Sequence, residues 1–208
     1  MRTKSDIEGF ILIGGASRRM GQDKARLIYN KQTFVDRIHN ALLPVVARAT
    51  LVTSNREPTG WRLPQTTDVY PGWGAFGGLH AALTCCKSDW ALVVACDLPM
   101  VSSELFNRLA DYREGADAVA PVQADGFPQP LCALYKVGPS RECAQHLIAS
   151  GERRPVTLLR AIQTRWVSMD ELGDLPGSSF LLSNVNTPSD FEQLKENLKG
   201  DQREESAA

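Results

Sequence analysis

Short apolar runs alternate with helix-period segments along nearly the whole chain, and this alternation leaves few architectures open. Residues 10–13 (FILI), 49–53 (ATLVT) and 90–95 (WALVVA) read as buried strands, the last being the clearest. Residues 118–121 (AVAP), 131–135 (LCALY) and 165–168 (RWVS) read as further short strands. Between the first two, residues 33–43 set Phe34, Val35, Ile38, Ala41 and Leu42 on a helical spacing that Pro44 ends. Helices are also expected over 77–86, over 102–112 with Ser102 or Ser103 as cap, and over 141–149 and 156–162. A last one is expected over 188–198, with Thr187 as cap and Pro188 at the first helical position. The pattern predicts an α/β fold: a single Rossmann-like, three-layer domain over residues 1–198 with a largely parallel sheet. Residues 199–208 are polar and charged and are expected to form a disordered tail.

The chain has 208 residues with 23 basic and 24 acidic side chains, a net charge of −1. That balance argues against charge-driven binding to nucleic acid or to a membrane surface. No stretch approaches the roughly 18 apolar residues of a membrane span. The opening MRTKSDIEG has a basic start but lacks an apolar core, so no signal peptide is expected and the expected location is cytoplasmic. The cysteines (Cys85, Cys86, Cys96, Cys132, Cys143) are odd in number and form no C-x-x-C, as suits small core thiols in a reducing compartment. None of His39, His80 and His146 stands at ligand spacing to a cysteine pair, so no zinc site is expected.

Directly after the first strand comes LIGGASRRMGQDKA, residues 12–25. In open parallel sheets, ligands bind beyond the carboxyl ends of the strands. Gly14, Gly15 and Gly21 allow the backbone to approach a ligand and turn its amides toward an anion, while Arg18, Arg19 and Lys24 add positive charge. Together they suit a di- or triphosphate. The other reading is a glycine turn carrying solvent-exposed cations. The loop is not a Walker A motif, because Gln22 and Asp23 separate Gly21 from Lys24, and it is not G-x-G-x-x-G.

Asp97 follows the clearest strand in WALVVACDLP. A carboxylate there faces the same crevice and suits Mg²⁺, a hard cation that shares oxygen ligands with substrate phosphates; the alternative is a cap on the next turn, closed by Pro99. Asp68, in TTDVYPGWGAFGGL, precedes a second glycine-rich loop.

These residues resemble the signature of the nucleotidyltransferases, L-x-G-G-x-S-x-R-M-G-x-D-K, which is met at Leu12, Gly14, Gly15, Ser17, Arg19, Met20, Gly21, Asp23 and Lys24. Ile13 departs from it, standing where alanine is usual. The resemblance implies that Leu12, Ile13, Gly14, Gly15, Lys24, Asp68 and Asp97 belong to the nucleotide site. It makes Arg19, Lys24 and Asp97 catalytic, with Asp97 the Mg²⁺ ligand. The base-contacting region after the second strand maps onto Asn55 or Thr53.

The C-terminal half narrows the resemblance. QPLCALY (129–135), GERR (151–154) and NVNTPSDF (184–191) are similar to the molybdenum cofactor guanylyltransferases. That implies transfer of GMP from GTP to the terminal phosphate of molybdopterin, with Arg153, Arg154, Asn184 and Asn186 on the molybdopterin side. It also implies delivery to molybdoenzyme apoproteins or their chaperones. Read as residues alone, GERR is equally an exposed helix start, and NVNTP a turn opening the last helix. Two rivals stand beside this reading: the same chemistry with another base or acceptor, such as cytidylyl transfer to molybdopterin or transfer to a sugar phosphate, and a non-catalytic carrier of nucleotide or molybdopterin.

Overall fold

The computed structural model describes residues 6–13, 24–54, 60–70 and 72–205, with side chains described as far as residue 196. The first strand, β1 (Ile7–Ile13), is buried along its whole length. It begins three residues before the apolar run that announces it. Glu8 and Gly9 hide the start, and the glutamate is tolerated inside because Arg48 donates to its Oε2 at 3.0 Å and the Lys87 amide to its Oε1 at 3.0 Å. Side chains alternate across the strand: Ile7, Ile11 and Ile13 enter one core, Phe10 and Leu12 the other.

A two-residue turn joins the short strands β2 (Ile28–Tyr29) and β3 (Gln32–Thr33). Asn30 and Lys31 both take positive φ, 47° and 64°, as such a hairpin turn requires. Neither strand was legible in the sequence, being too short for a period. Thr33 then caps α1 (Phe34–Leu42) in a reciprocal capping box with Asp36. There follow β4 (Ala49–Thr53), β5 (Gln65–Thr67), α2 (Gly74–Cys85), β6 (Trp90–Ala95) and α3 (Ser103–Asp111), the last capped by the Ser102 hydroxyl. Next come β7 (Ala118–Pro121), β8 (Cys132–Lys136), α4 (Val137–Ala149), α5 (Pro155–Ala161), β9 (Thr164–Val167) and α6 (Pro188–Glu205).

The expected helix at 77–86 begins at Gly74, because glycines obscured its first turn. The one expected at 141–149 begins at Val137, directly out of β8, in spite of Gly138 and Pro139. The last helix does not stop at Leu198 but runs to Glu205, where Lys199, Gln202, Arg203, Glu204 and Glu205 are strong helix formers and outweigh Gly200 and Asp201.

Seven strands form one sheet in the order β5-β4-β1-β6-β8-β7-β9. All neighbours are parallel except at β8, which runs against both β6 and β7. α1 and α3 cover one face, and α2, α4 and α5 the other, giving the expected three layers. α6 closes a smaller cluster in which Leu194 packs with Phe34 and Val185. No helix among the described residues is long and apolar enough to cross a membrane.

Candidate active site

The strand order reverses at β1, where the chain runs outward through β4 and β5 and then returns to place β6 on the other side. The crevice beyond the carboxyl ends of β1 and β6 is therefore the switch point at which such sheets bind ligands. The two strand ends are tied together, since the Cys96 amide donates to the Leu12 carbonyl at 3.0 Å. Ile13 is buried among core side chains, so any contact it makes with a ligand runs through its backbone. The arrangement explains its departure from alanine: the extra volume points into the core. Gly14, Gly15, Arg19 and Asn55 lie outside the described residues.

Asp97 sits at the centre. Its Oδ1 is buried and has no hydrogen-bond partner among the described residues, an arrangement that costs free energy unless something else uses that atom. Burial holds the carboxyl above the usual carboxylate range, against the opposing pull of the Lys24 ammonium and of a hydrogen bond from the Asn184 side chain. The Asp97 carbonyl accepts from the Val185 amide at 2.8 Å, which stitches the segment 184–187 along the end of β6. On the same segment Asn186 Oδ1 accepts from Lys24 Nζ at 2.8 Å. Thr187 and Asp190 close the first turn of α6: Asp190 Oδ2 accepts the Asn186 and Thr187 amides, and Thr187 Oγ1 accepts the Asp190 amide.

Asn184 and Asn186, expected toward the acceptor, are thus in contact with Asp97 and Lys24, two residues expected at the nucleotide. A residue present in the QPLCALY stretch but given no site role from the sequence joins them: Gln129 Nε2 donates to Asn184 Oδ1 at 2.8 Å. Its place at the head of QPLCALY, a polar residue just ahead of an apolar run, was the available signal.

Asp68 stands at the end of the edge strand β5, beyond the Thr53 carbonyl, which accepts its amide at 3.1 Å. Its Oδ1 accepts the Tyr70 amide at 2.7 Å. Its carboxylate lies directly over Gly77 in the first turns of α2; a Cβ there would stand 2.1 Å from Oδ2. Burial raises the Asp68 carboxyl above its ordinary range, opposed by the Tyr70 amide and by His80. His80, weighed in the sequence only as a zinc ligand, is buried with neither ring nitrogen hydrogen-bonded among the described residues, and burial lowers its pKa.

The two arginines of GERR part company. Arg153 donates to the Gly72 carbonyl at 3.0 Å and lies over the Trp73 ring, 4.8 Å from its centroid. Trp73 in turn meets Tyr70 edge-on, so Arg153 reaches the loop that carries Asp68. Arg154 turns back to Glu152, gripping both carboxylate oxygens at 2.9 and 3.0 Å.

Comparison with known proteins gives the family. Residues 9–169 match the family model described as the MobA-like NTP transferase domain. The chain is 34% identical over 185 residues to a probable molybdenum cofactor guanylyltransferase of Pelotomaculum thermopropionicum, covering 88% of this chain and 89% of that one. It is 31% identical to a probable molybdenum cofactor guanylyltransferase of Carboxydothermus hydrogenoformans, over 88% and 92% of the two chains. In fold it is similar to the crystal structure of molybdopterin-guanine dinucleotide biosynthesis protein A from Archaeoglobus fulgidus, with a TM-score of 0.78 and 22% identity over 93% of this chain and 99% of that one. With a family model matched over most of its length and relatives above 30% identity, the chain belongs to the MobA-like NTP transferase family.

Proposed function

We propose that this chain transfers GMP from GTP to the terminal phosphate of molybdopterin and releases pyrophosphate. The observation that carries the reading is the buried, unpartnered Oδ1 of Asp97 beside Lys24 at the switch point of the sheet. An oxygen of the acceptor phosphate forms a bond to the α-phosphorus of GTP, and the bond from that phosphorus to the bridging oxygen of pyrophosphate breaks. The nucleophile is already ionised near neutral pH, so no side-chain base is needed and catalysis is positioning and charge neutralisation.

Mg²⁺ fits the residues present. Among the described residues no cluster of three or more His, Cys, Asp or Glu side chains forms a cage, and Mg²⁺ suits such a site because it keeps waters and substrate phosphates as most of its ligands. Asp97 would hold it through the free oxygen, and the bound ion would supply positive charge to phosphate oxygens. Lys24 and Arg19 neutralise the phosphates and the departing pyrophosphate. The backbone of Leu12, Ile13, Gly14 and Gly15 follows the nucleotide, with Asp68 and either Thr53 or Asn55 toward the nucleoside. Arg153, Arg154, Asn184 and Asn186 serve the molybdopterin side. On this reading residues 1–198 are one catalytic domain. The reaction runs in the cytoplasm, and the product passes to molybdoenzyme apoproteins or their chaperones.

The test is pyrophosphate release with molybdopterin, Mg²⁺ and each of GTP, CTP, ATP and UTP in turn. Release with GTP alone is expected. Release with CTP alone overturns the base assignment and keeps the chemistry. No release from protein that binds nucleotide overturns transfer to molybdopterin.

A further inference from the structure

The loop between β7 and β8 lies at the same end of the sheet as Asp97, because β8 alone runs backwards. Two glutamines of that loop hold the segment before α6. Gln123 Nε2 donates to the Leu182 carbonyl at 3.0 Å, and Gln129 Nε2 donates to Asn184 Oδ1 at 2.8 Å. Gln129 is 9% exposed, and its backbone is fixed at both ends: its amide donates to the Pro121 carbonyl at 2.9 Å and its carbonyl accepts from the Cys132 amide at 3.2 Å. The donor therefore has little freedom to move.

An asparagine amide has an acceptor end and a donor end, and in a buried site it is free to turn over unless a neighbour chooses between them. Gln129 makes that choice. By occupying Asn184 Oδ1 with a donor, it leaves the Asn184 NH₂ to face the Asp97 carboxylate. The next amide, Val185, donates to the Asp97 carbonyl at 2.8 Å and so sets Asn184 beside that residue, whose Oδ1 has no hydrogen-bond partner among the described residues.

We propose that Gln129 is a positioning residue of the active site, which fixes the Asn184 amide so that Asp97 presents one free oxygen to a divalent cation. This rests on the metal role proposed for Asp97. Gln129 itself touches neither the cation nor the substrate, and its effect passes wholly through Asn184. Groups that orient metal ligands in this way are worth about 10- to 100-fold in metal affinity.

The test is Mn²⁺ binding in the presence of GTP, followed by electron paramagnetic resonance, for the wild type, Gln129→Met, Asn184→Ala, the double variant and Asp97→Asn, with thermal melts to show that each is folded. Gln129→Met keeps length and volume and removes the donor; Gln129→Leu replaces it should the methionine variant fail to fold. Expected are an about tenfold weaker Mn²⁺ affinity for Gln129→Met and a double variant within about twofold of Asn184→Ala, because the two residues act as one unit. Losses that multiply in the double variant assign Gln129 to packing and overturn the proposal. So does a Gln129→Met variant that binds like the wild type, or an Asp97→Asn variant that still binds Mn²⁺. Wild type that binds Mn²⁺ through Asp97, with the expected cycle, and yet releases no pyrophosphate leaves the positioning role standing and removes the proposed reaction.

Discussion

Lys24 Nζ donates to Asn186 Oδ1 at 2.8 Å, joining the turn after the β1 loop to the segment that opens α6. The pair is solvent-exposed, so its worth to stability is small, while the charge it orients faces Asp97. Lys24→Ala is therefore expected to lower kcat about 100-fold or more, the scale of losing one transition-state donor, with Tm nearly unchanged. Steady-state pyrophosphate release and a thermal melt check this. Near-normal turnover removes Lys24 from the chemistry.

Asp97 is expected to show the opposite sign in stability and in activity. Its buried carboxyl is pushed up by desolvation, and one oxygen lacks a partner among the described residues, so the charge is a cost to the folded protein. Asp97→Asn keeps an acceptor for the Asn184 amide and removes the charge. Tm is expected to rise by about 1–4 °C while activity falls below detection, as when a functional site trades stability for function. A variant that melts lower than wild type shows instead that the carboxylate is stabilising.

Gly77 separates backbone from site. A Cβ would meet Asp68 Oδ2 at 2.1 Å and Oδ1 and Cγ at 2.7 Å, so the carboxylate must swing away and give up its bond from the Tyr70 amide. Alanine favours a helix interior over glycine by about 1 kcal/mol, which offsets that lost bond. Gly77→Ala is thus expected to melt close to wild type and to bind GTP about tenfold more weakly, roughly the cost of one charge-assisted hydrogen bond. Calorimetric titration with GTP decides it: unchanged affinity takes Asp68 out of the nucleotide site.

The fold was legible because burial writes itself into sequence. WALVVA could only be an inner strand, and helix faces such as Leu105, Phe106 and Leu109 repeated at the right spacing. Beyond strands too short for a period and glycines that hid a helix start, the misses come from polar residues made welcome by distant partners. Glu8 blurred the start of β1 because Arg48 and the Lys87 amide, which satisfy it, lie far along the chain. In the site, Asp97 and Lys24 were visible as charges at a strand end and in its loop. The Gln129–Asn184–Asp97 chain was not, because it depends on β8 running backwards and bringing a hairpin loop to the same edge. The edge strand QTT at β5 has no apolar residue to announce it.

The two arginines of GERR give unequal expectations. Arg153 already lies against Trp73 and the Gly72 carbonyl, facing the glycine loop. Arg154 is held by Glu152, whose carboxyl is pulled down to about 2 chiefly by the Arg154 guanidinium. Arg153→Ala is expected to raise the KM for molybdopterin about tenfold, the worth of one charge-assisted contact, and Arg154→Ala to raise it by much less. Equal effects of the two variants would show that Arg154 leaves Glu152 when the acceptor binds.

His80 makes stability depend on pH. Burial lowers its pKa from 6.5, with Arg141 adding repulsion and Asp68 opposing the shift; the Tyr70 ring packs against it 5.1 Å away. Above pH 6.5 the imidazole is neutral in the folded and unfolded chains alike, and its ionisation contributes nothing. As pH falls through 6.5 the unfolded chain takes up a proton that the folded chain refuses, so stability is lost from there down to the lower folded pKa. The raised Asp68 carboxyl works the other way, since its protonation in the folded state relieves a burial cost as pH falls. Replacing His80 with Phe keeps an aromatic ring beside Tyr70 and removes the titration. Melting curves between about pH 7.5 and 5.5 should then show wild type losing more Tm than His80→Phe, with the difference opening below 6.5. Parallel losses in the two proteins would mean that His80 accepts its proton in the folded state as easily as in the unfolded one.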